Sequence, residues 1–121
     1  MPTRARSARY ARRRARRLAA QVQDLTSEQW QLLREVWGGC AYCGHEGALQ
    51  KDCLLPVSRG GRYTLDNVVP ACASCNASKG NVEVTTWLRR TRRDERAFLL
   101  RHALRRDVVA TRLAQQAPAQ G

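Results

Sequence analysis

The chain has 121 residues, with 22 Lys and Arg against 10 Asp and Glu and a formal net charge of +12. That length suits one small domain and excludes a multidomain enzyme. No stretch approaches the roughly 18 consecutive apolar residues of a membrane span, and residues 1–20 lack the apolar middle of a secretory signal, so the expectation is a cytoplasmic, reducing setting with no membrane partner.

Residues 1–23 read as a basic arm. Twenty of the 22 basic residues are Arg, and eight of them (Arg4, Arg6, Arg9, Arg12, Arg13, Arg14, Arg16 and Arg17) crowd the first seventeen positions. Such a block repels itself and lowers that energy by lying along a polyanion, releasing condensed counterions. Nucleic acid is the expected partner, with Arg12, Arg13, Arg14, Arg16 and Arg17 as phosphate contacts. A solvated, partly helical arm is the alternative, since Ala and Arg both favour helix and no acid precedes Asp24. The Arg-rich start also resembles an organelle transit peptide.

Residues 24–39 carry a marked helix: Thr26 is placed to cap it, Gln29 completes a capping box, and Leu25 can staple onto Trp30. Trp30, Leu33 and Trp37 share a face, and Gly38-Gly39 ends the run before Cys40. Between 40 and 82 the text shortens to strands and turns. Residues 48–55 predict a strand broken by Pro56 and Arg59-Gly60-Gly61-Arg62; Val68-Val69 begins a second, ended by Pro70, and a short helix follows Cys72. Residues 83–114 predict basic helices, the first capped by Thr85 or Thr86, the second beginning at Asp94-Glu95 with Ala97, Leu100, Leu104 and Val108 as its apolar stripe. Their arginines are either a second phosphate-facing surface or a solvated face. Residues 115–121 form an Ala/Gln/Pro tail with no core pattern and are expected to be disordered.

Five cysteines in a secreted chain would suggest disulfides with one thiol left over. Their spacing argues for metal instead. Cys40-Ala-Tyr-Cys43 and Cys72-Ala-Ser-Cys75 are two Cys-x-x-Cys pairs, each offering two thiolates to one tetrahedral zinc ion. A segment of about forty residues has too little apolar surface to stand alone, so the metal contributes folding energy.

The residues between and after the pairs say more. Asp52-Cys53-Leu54-Leu55-Pro56-Val57-Ser58-Arg59-Gly60-Gly61, then Leu65-Asp66-Asn67-Val68-Val69-Pro70-Ala71-Cys72, then Cys75-Asn76-Ala77-Ser78-Lys79-Gly80 resembles the HNH endonuclease family. The resemblance implies a small α+β domain with a zinc-stabilised ββα-metal core flanked by N- and C-terminal helices. It implies Asp52 and Asn76 as ligands of a catalytic Mg²⁺ or Mn²⁺, both hard oxygen donors. It gives Asn67 a supporting role in the loop, and makes Lys79, Arg59 and Arg62 candidate phosphate contacts. Taken singly, an Asp at a strand end is more often a cap, and an Asn beside a cysteine pair a turn residue; their joint occurrence is what favours a site.

One position departs from the family. A histidine directly after the acidic ligand acts there as general base, and here the residue is Cys53. A thiol with an ordinary pKa near ~8.5 is mostly protonated at neutral pH. Cys53 either replaces the imidazole in a slow nuclease, leaves an inactive centre on a nucleic-acid-binding module, or is a small buried hydrophobe compatible with both. His45 and His102 stand elsewhere and are expected to be structural or surface residues. The resemblance thus implies an endonuclease hydrolysing DNA phosphodiester bonds with a divalent metal. The alternative is a catalytically impaired, zinc-stabilised nucleic-acid-binding protein.

Overall fold

A computed structural model describes residues 8–14 and 25–116. Residues 8–14 are helical (α1), with Arg12 half-buried and Arg13 and Arg14 exposed. Arg16, Arg17 and the tail after Gln116 lie outside the described residues.

Helix α2, Ser27–Trp37, begins as its sequence dictates: Thr26 Oγ1 accepts from the Gln29 N–H (3.1 Å) and Gln29 Oε1 from the Thr26 N–H (3.0 Å). These bonds satisfy two of the donors a helix start leaves open. Gly38 closes it at φ +69°, with its N–H on Arg34 O.

Strand β1, Gln50–Cys53, pairs antiparallel with β2, Val68–Ala71, setting Asp52 opposite Val69 and Cys53 opposite Val68. The ladder is shorter than the expected 48–55. At one end the Asn67 side chain takes over the N–H and C=O of Leu55, and at the other β2 gives way to the cap of the next helix. Pro70, expected to end its strand, lies inside it. Its carbonyl accepts from the Ala41 N–H (2.8 Å), away from β1, so its missing N–H falls on the side the ladder does not use.

Helix α3, Ala73–Lys79, is capped by Cys72 Sγ, which accepts from the Cys75 N–H. Helix α4, Val84–Arg90, is capped by Glu83 rather than by Thr85 or Thr86: the carboxylate accepts from both threonine N–H groups, as an acid at a helix start should. Helix α5, Glu95–Gln116, begins under Asp94, whose Oδ1 accepts from the Ala97 N–H.

The two-stranded sheet is covered on both faces. Alternation sends Val69 and Ala71 into a cluster with Tyr42, Leu54, Trp87, Leu88 and Phe98. It sends Cys53 and Val68 into a second cluster with Leu25, Leu32, Leu33 and Val109. Trp37 stacks on Phe98 (6.2 Å) and Tyr42 meets Trp87 edge-on (4.9 Å), joining α2, α4 and α5 around the sheet.

The packed face of α5 differs from the expected stripe. Phe98 and Val109 are buried, whereas Leu100 (61%), Leu104 (54%) and Val108 (40%) face outward and Ala97 is half-buried. The ring contacts of Phe98 with Trp37 and Tyr42 fix the helix's rotation, and the leucine repeat follows on the other side.

The loop after β1 depends on a missing side chain. It passes through Pro56 and one 3-10 turn, Val57–Arg59, and a Cβ on Gly61 would sit 1.8 Å from the Leu55 carbonyl oxygen. Gly61→Ala is expected to destabilise the fold by about 2–3 kcal/mol, the cost of forcing atoms into a closed backbone contact. Urea denaturation beside the parent measures it.

Candidate functional site

The Gly38-Gly39 stop folds the chain back on itself. Cys40 N–H donates to His45 O (2.9 Å) and Gly44 N–H to Cys40 O (2.8 Å), forming a tight knuckle that presents Cys40 and Cys43. The first turn of α3 presents Cys72 and Cys75. The four Sγ atoms lie within 4.8 Å of one another, with Cys43 and Cys72 at 3.7 Å. Four Zn–S bonds of about 2.3 Å in a tetrahedron place sulfurs about 3.8 Å apart, so the cluster fits one such metal ion. No disulfide joins the five thiols. The Cys75 N–H draws the Cys72 thiol down to about 7, toward the thiolate a metal requires. His45 touches the knuckle through its backbone carbonyl, while its side chain does not join the cluster.

Beside the knuckle, β1, the following loop and α3 enclose a cleft whose lining includes Asp52, Cys53, Tyr63, Asn76 and Asn81. Asp52 comes from the strand and Asn76 from the helix, and the cleft brings the two together. Asp52 is 4% exposed. Its Oδ2 accepts from Tyr42 Oη (2.5 Å) and its Oδ1 from Lys79 Nζ (3.2 Å). Burial pushes the Asp52 carboxyl up, and the adjacent Lys79 charge pulls it partway back. Burial also drives the Tyr42 hydroxyl well above the ordinary phenol range, with the Asp52 charge adding to it.

Asn76 Nδ2 donates to Gln50 Oε1 (2.7 Å). Asn67 secures the loop at three points: Oδ1 accepts from Leu55 N–H (2.8 Å), and Nδ2 donates to Leu55 O (3.0 Å) and Arg62 O (2.9 Å). Arg59 and Arg62 are exposed around that loop.

Lys79 stands differently from its sequence reading, and Cys53 takes one of the three readings open to it, the small buried hydrophobe. Lys79, expected at a phosphate, is turned inward at 1% exposure, where its ammonium also donates to Cys53 O (2.8 Å). A buried lysine next to a buried carboxylate neutralises it, which costs less than leaving either charge unpaired. Cys53 borders the cleft, but its side chain belongs to the apolar cluster of Leu25, Leu33, Val68 and Val109. Burial, and then the Asp52 charge, push its thiol up to about 11. Such a thiol is a small hydrophobe at neutral pH rather than a base.

Sequence reasoning missed Tyr42 and Gln50. The signal for Tyr42 was an aromatic residue inside the first Cys-x-x-Cys, whose knuckle points its ring at Trp87 and its hydroxyl at Asp52. His102 lies on α5, stacked on Phe98, where burial and the nearby Arg106 lower its pKa.

Residues 40–82 match the family model described as HNH endonuclease, the segment holding both cysteine pairs, the cleft and the Asn67 loop. No curated protein and no solved structure matches the chain.

Elemental analysis of the purified chain is expected to find one zinc per molecule, and Cys75→Ser or a strong chelator to abolish the cooperative thermal transition. Lys79→Met leaves Asp52 buried without its cation and should cost roughly 3–5 kcal/mol near pH 7. In that variant the folded carboxyl pKa stands above its unfolded value. The folded state therefore binds the proton more tightly, and the penalty should shrink as pH falls through that raised pKa, read from urea midpoints across pH.

Proposed function

We propose that the chain is an endonuclease of the HNH kind, hydrolysing DNA phosphodiester bonds with the Asp52–Asn76 cleft as its reaction centre. The observation that carries this reading is the convergence of a strand carboxylate and a helix amide on one cleft, beside a cysteine cluster, within the segment that matches the HNH family.

The donor chemistry of the cleft suits a hard divalent cation: Asp52 offers carboxylate oxygens and Asn76 an amide oxygen, and both would hold Mg²⁺ or Mn²⁺. Such an ion, when bound, polarises phosphoryl oxygens and supports charge on the departing 3′ oxygen. The remaining work falls to the chain. Lys79 favours the ionised form of Asp52, so its carboxylate remains a ligand despite its burial. Gln50 holds the Asn76 amide nitrogen, which leaves the amide oxygen as the donor for the cleft. Asn67 keeps the loop rigid, and its exposed Arg59 and Arg62 meet the phosphates of the substrate. Cys53, protonated at neutral pH, takes no proton from the attacking water; that proton goes to solvent hydroxide. The reaction is therefore slow, and its rate climbs with pH instead of levelling near neutrality.

A second reading has its own support. The engagement of both Asp52 oxygens by Tyr42 and Lys79, with the Cys53 thiol buried, favours a nucleic-acid-binding module that has lost hydrolysis.

Nicking of supercoiled plasmid with Mg²⁺ or Mn²⁺ across pH separates the two. The parent is expected to nick slowly and faster at higher pH, and Asp52→Ala to stop. Cys53→His, with an imidazole pKa near ~6.5, should gain on the order of 10²-fold and level off near neutrality. If neither the parent nor a folded, metal-loaded Cys53→His nicks, the nuclease reading fails and the binding module stands.

A further inference from the structure

The turn joining α4 to α5 lies outside the HNH segment and carries chemistry the cleft does not use. Between positions 89 and 106 there are eight arginines against two acids, Asp94 and Glu95. Those two acids are already engaged. Glu95 takes a two-point bond from Arg89 (2.7 and 3.1 Å) that staples the helices together, and Asp94 caps α5. Arg90, Arg92, Arg93 and Arg96 are exposed, and none forms a salt bridge among the described residues. Arg93 lies over the buried Trp87 ring at 4.7 Å, which fixes the turn to the core beneath it.

The backbone of this turn is a second observation. Arg93 N–H donates to Leu88 O (2.8 Å) and Arg92 N–H to Arg89 O (3.2 Å). This is the bonding pattern of a helix stop that calls for a left-handed residue, and the position is normally taken by glycine. Here it is Arg92 at φ +55°, the one non-glycine residue with positive φ among those described. A side chain at such a φ costs roughly 1–2 kcal/mol that glycine would not. Stability therefore selects against arginine at this position, and a local cost of this kind is kept where the side chain serves function.

We propose that the α4–α5 turn is a docking surface for the phosphate backbone of the nucleic acid, with Arg92 held in a left-handed conformation so that Arg90, Arg92 and Arg96 stand together as phosphate ligands. The inference rests on the nucleic-acid reading of the previous subsection and adds a contact surface remote in sequence from the cleft. Guanidinium groups match phosphate oxygens in shape and charge, and each phosphate neutralised adds to the salt dependence of binding without specifying sequence.

The test is fluorescence anisotropy of a short labelled DNA duplex with the full, zinc-loaded chain over a series of salt concentrations, with thermal melts of every variant. Arg92→Gly should bind several-fold more weakly, with the slope of log affinity against log salt reduced by about 0.9, one phosphate contact. Its melting temperature should be equal to or above that of the parent, which separates lost contact from lost fold. Arg92→Lys should keep most of the slope, and Arg112→Gln, which removes one charge elsewhere on α5, should change it less than Arg92→Gly. Parent-like affinity and slope in Arg92→Gly, or an equal loss in Arg112→Gln, would overturn the proposal and leave the nuclease reading intact. A parent that binds no duplex at any salt would instead remove the reading on which it rests.

Discussion

The junction of the two cysteine pairs sets the geometry of everything around it. One pair sits on a knuckle after α2 and the other on the first turn of α3, so their meeting within 4.8 Å closes the chain around the sheet. Tyr42, between the first two thiols, carries that constraint directly to Asp52, while Asn76 follows Cys75 by one residue on α3. The sulfur cluster and the cleft therefore share a framework. A metal held by the thiols contributes to folding and, through the same few residues, to the distance between two oxygen donors.

The polar core of this framework has a consequence for the cleft. Asp52, Lys79 and Tyr42 form a buried set in which every charge has a partner. Such a set is costly to break and gives a fixed position in return. On the opposite face of the same strand, Cys53 packs among leucine and valine side chains. The strand's period of two thus separates a buried, paired carboxylate lining the cleft from a neighbouring thiol packed in the apolar cluster.

Much of the fold was legible because local rules act on adjacent residues. The Thr26–Gln29 box, the glycine stop after Trp37 and the Cys-x-x-Cys pairs each require only a few positions in sequence. What escaped depends on contacts across the fold. The inward turn of Lys79 needs Asp52 from another element, and the rotation of α5 needs Trp37 and Tyr42 to claim Phe98. Leu100, Leu104 and Val108 satisfy helical spacing equally well, and nothing local favours one face over the other. The cap of α4 shows the same competition at short range: the Glu83 carboxylate outreaches two threonines that were equally eligible by sequence.

The bond from Val84 N–H to Leu54 O (3.0 Å) fastens the start of α4 to the chain leaving β1, and Trp87 and Phe98 then close over Tyr42. The HNH segment ends at residue 82, short of Val84, Trp87 and Phe98, and begins after α2, which supplies the other wall. Cut out at its family boundaries, it would lose both coverings and show its interior to water. A minimal fragment for transplantation onto another scaffold must therefore run from Leu25 to beyond Val109, the last buried side chain among the described residues.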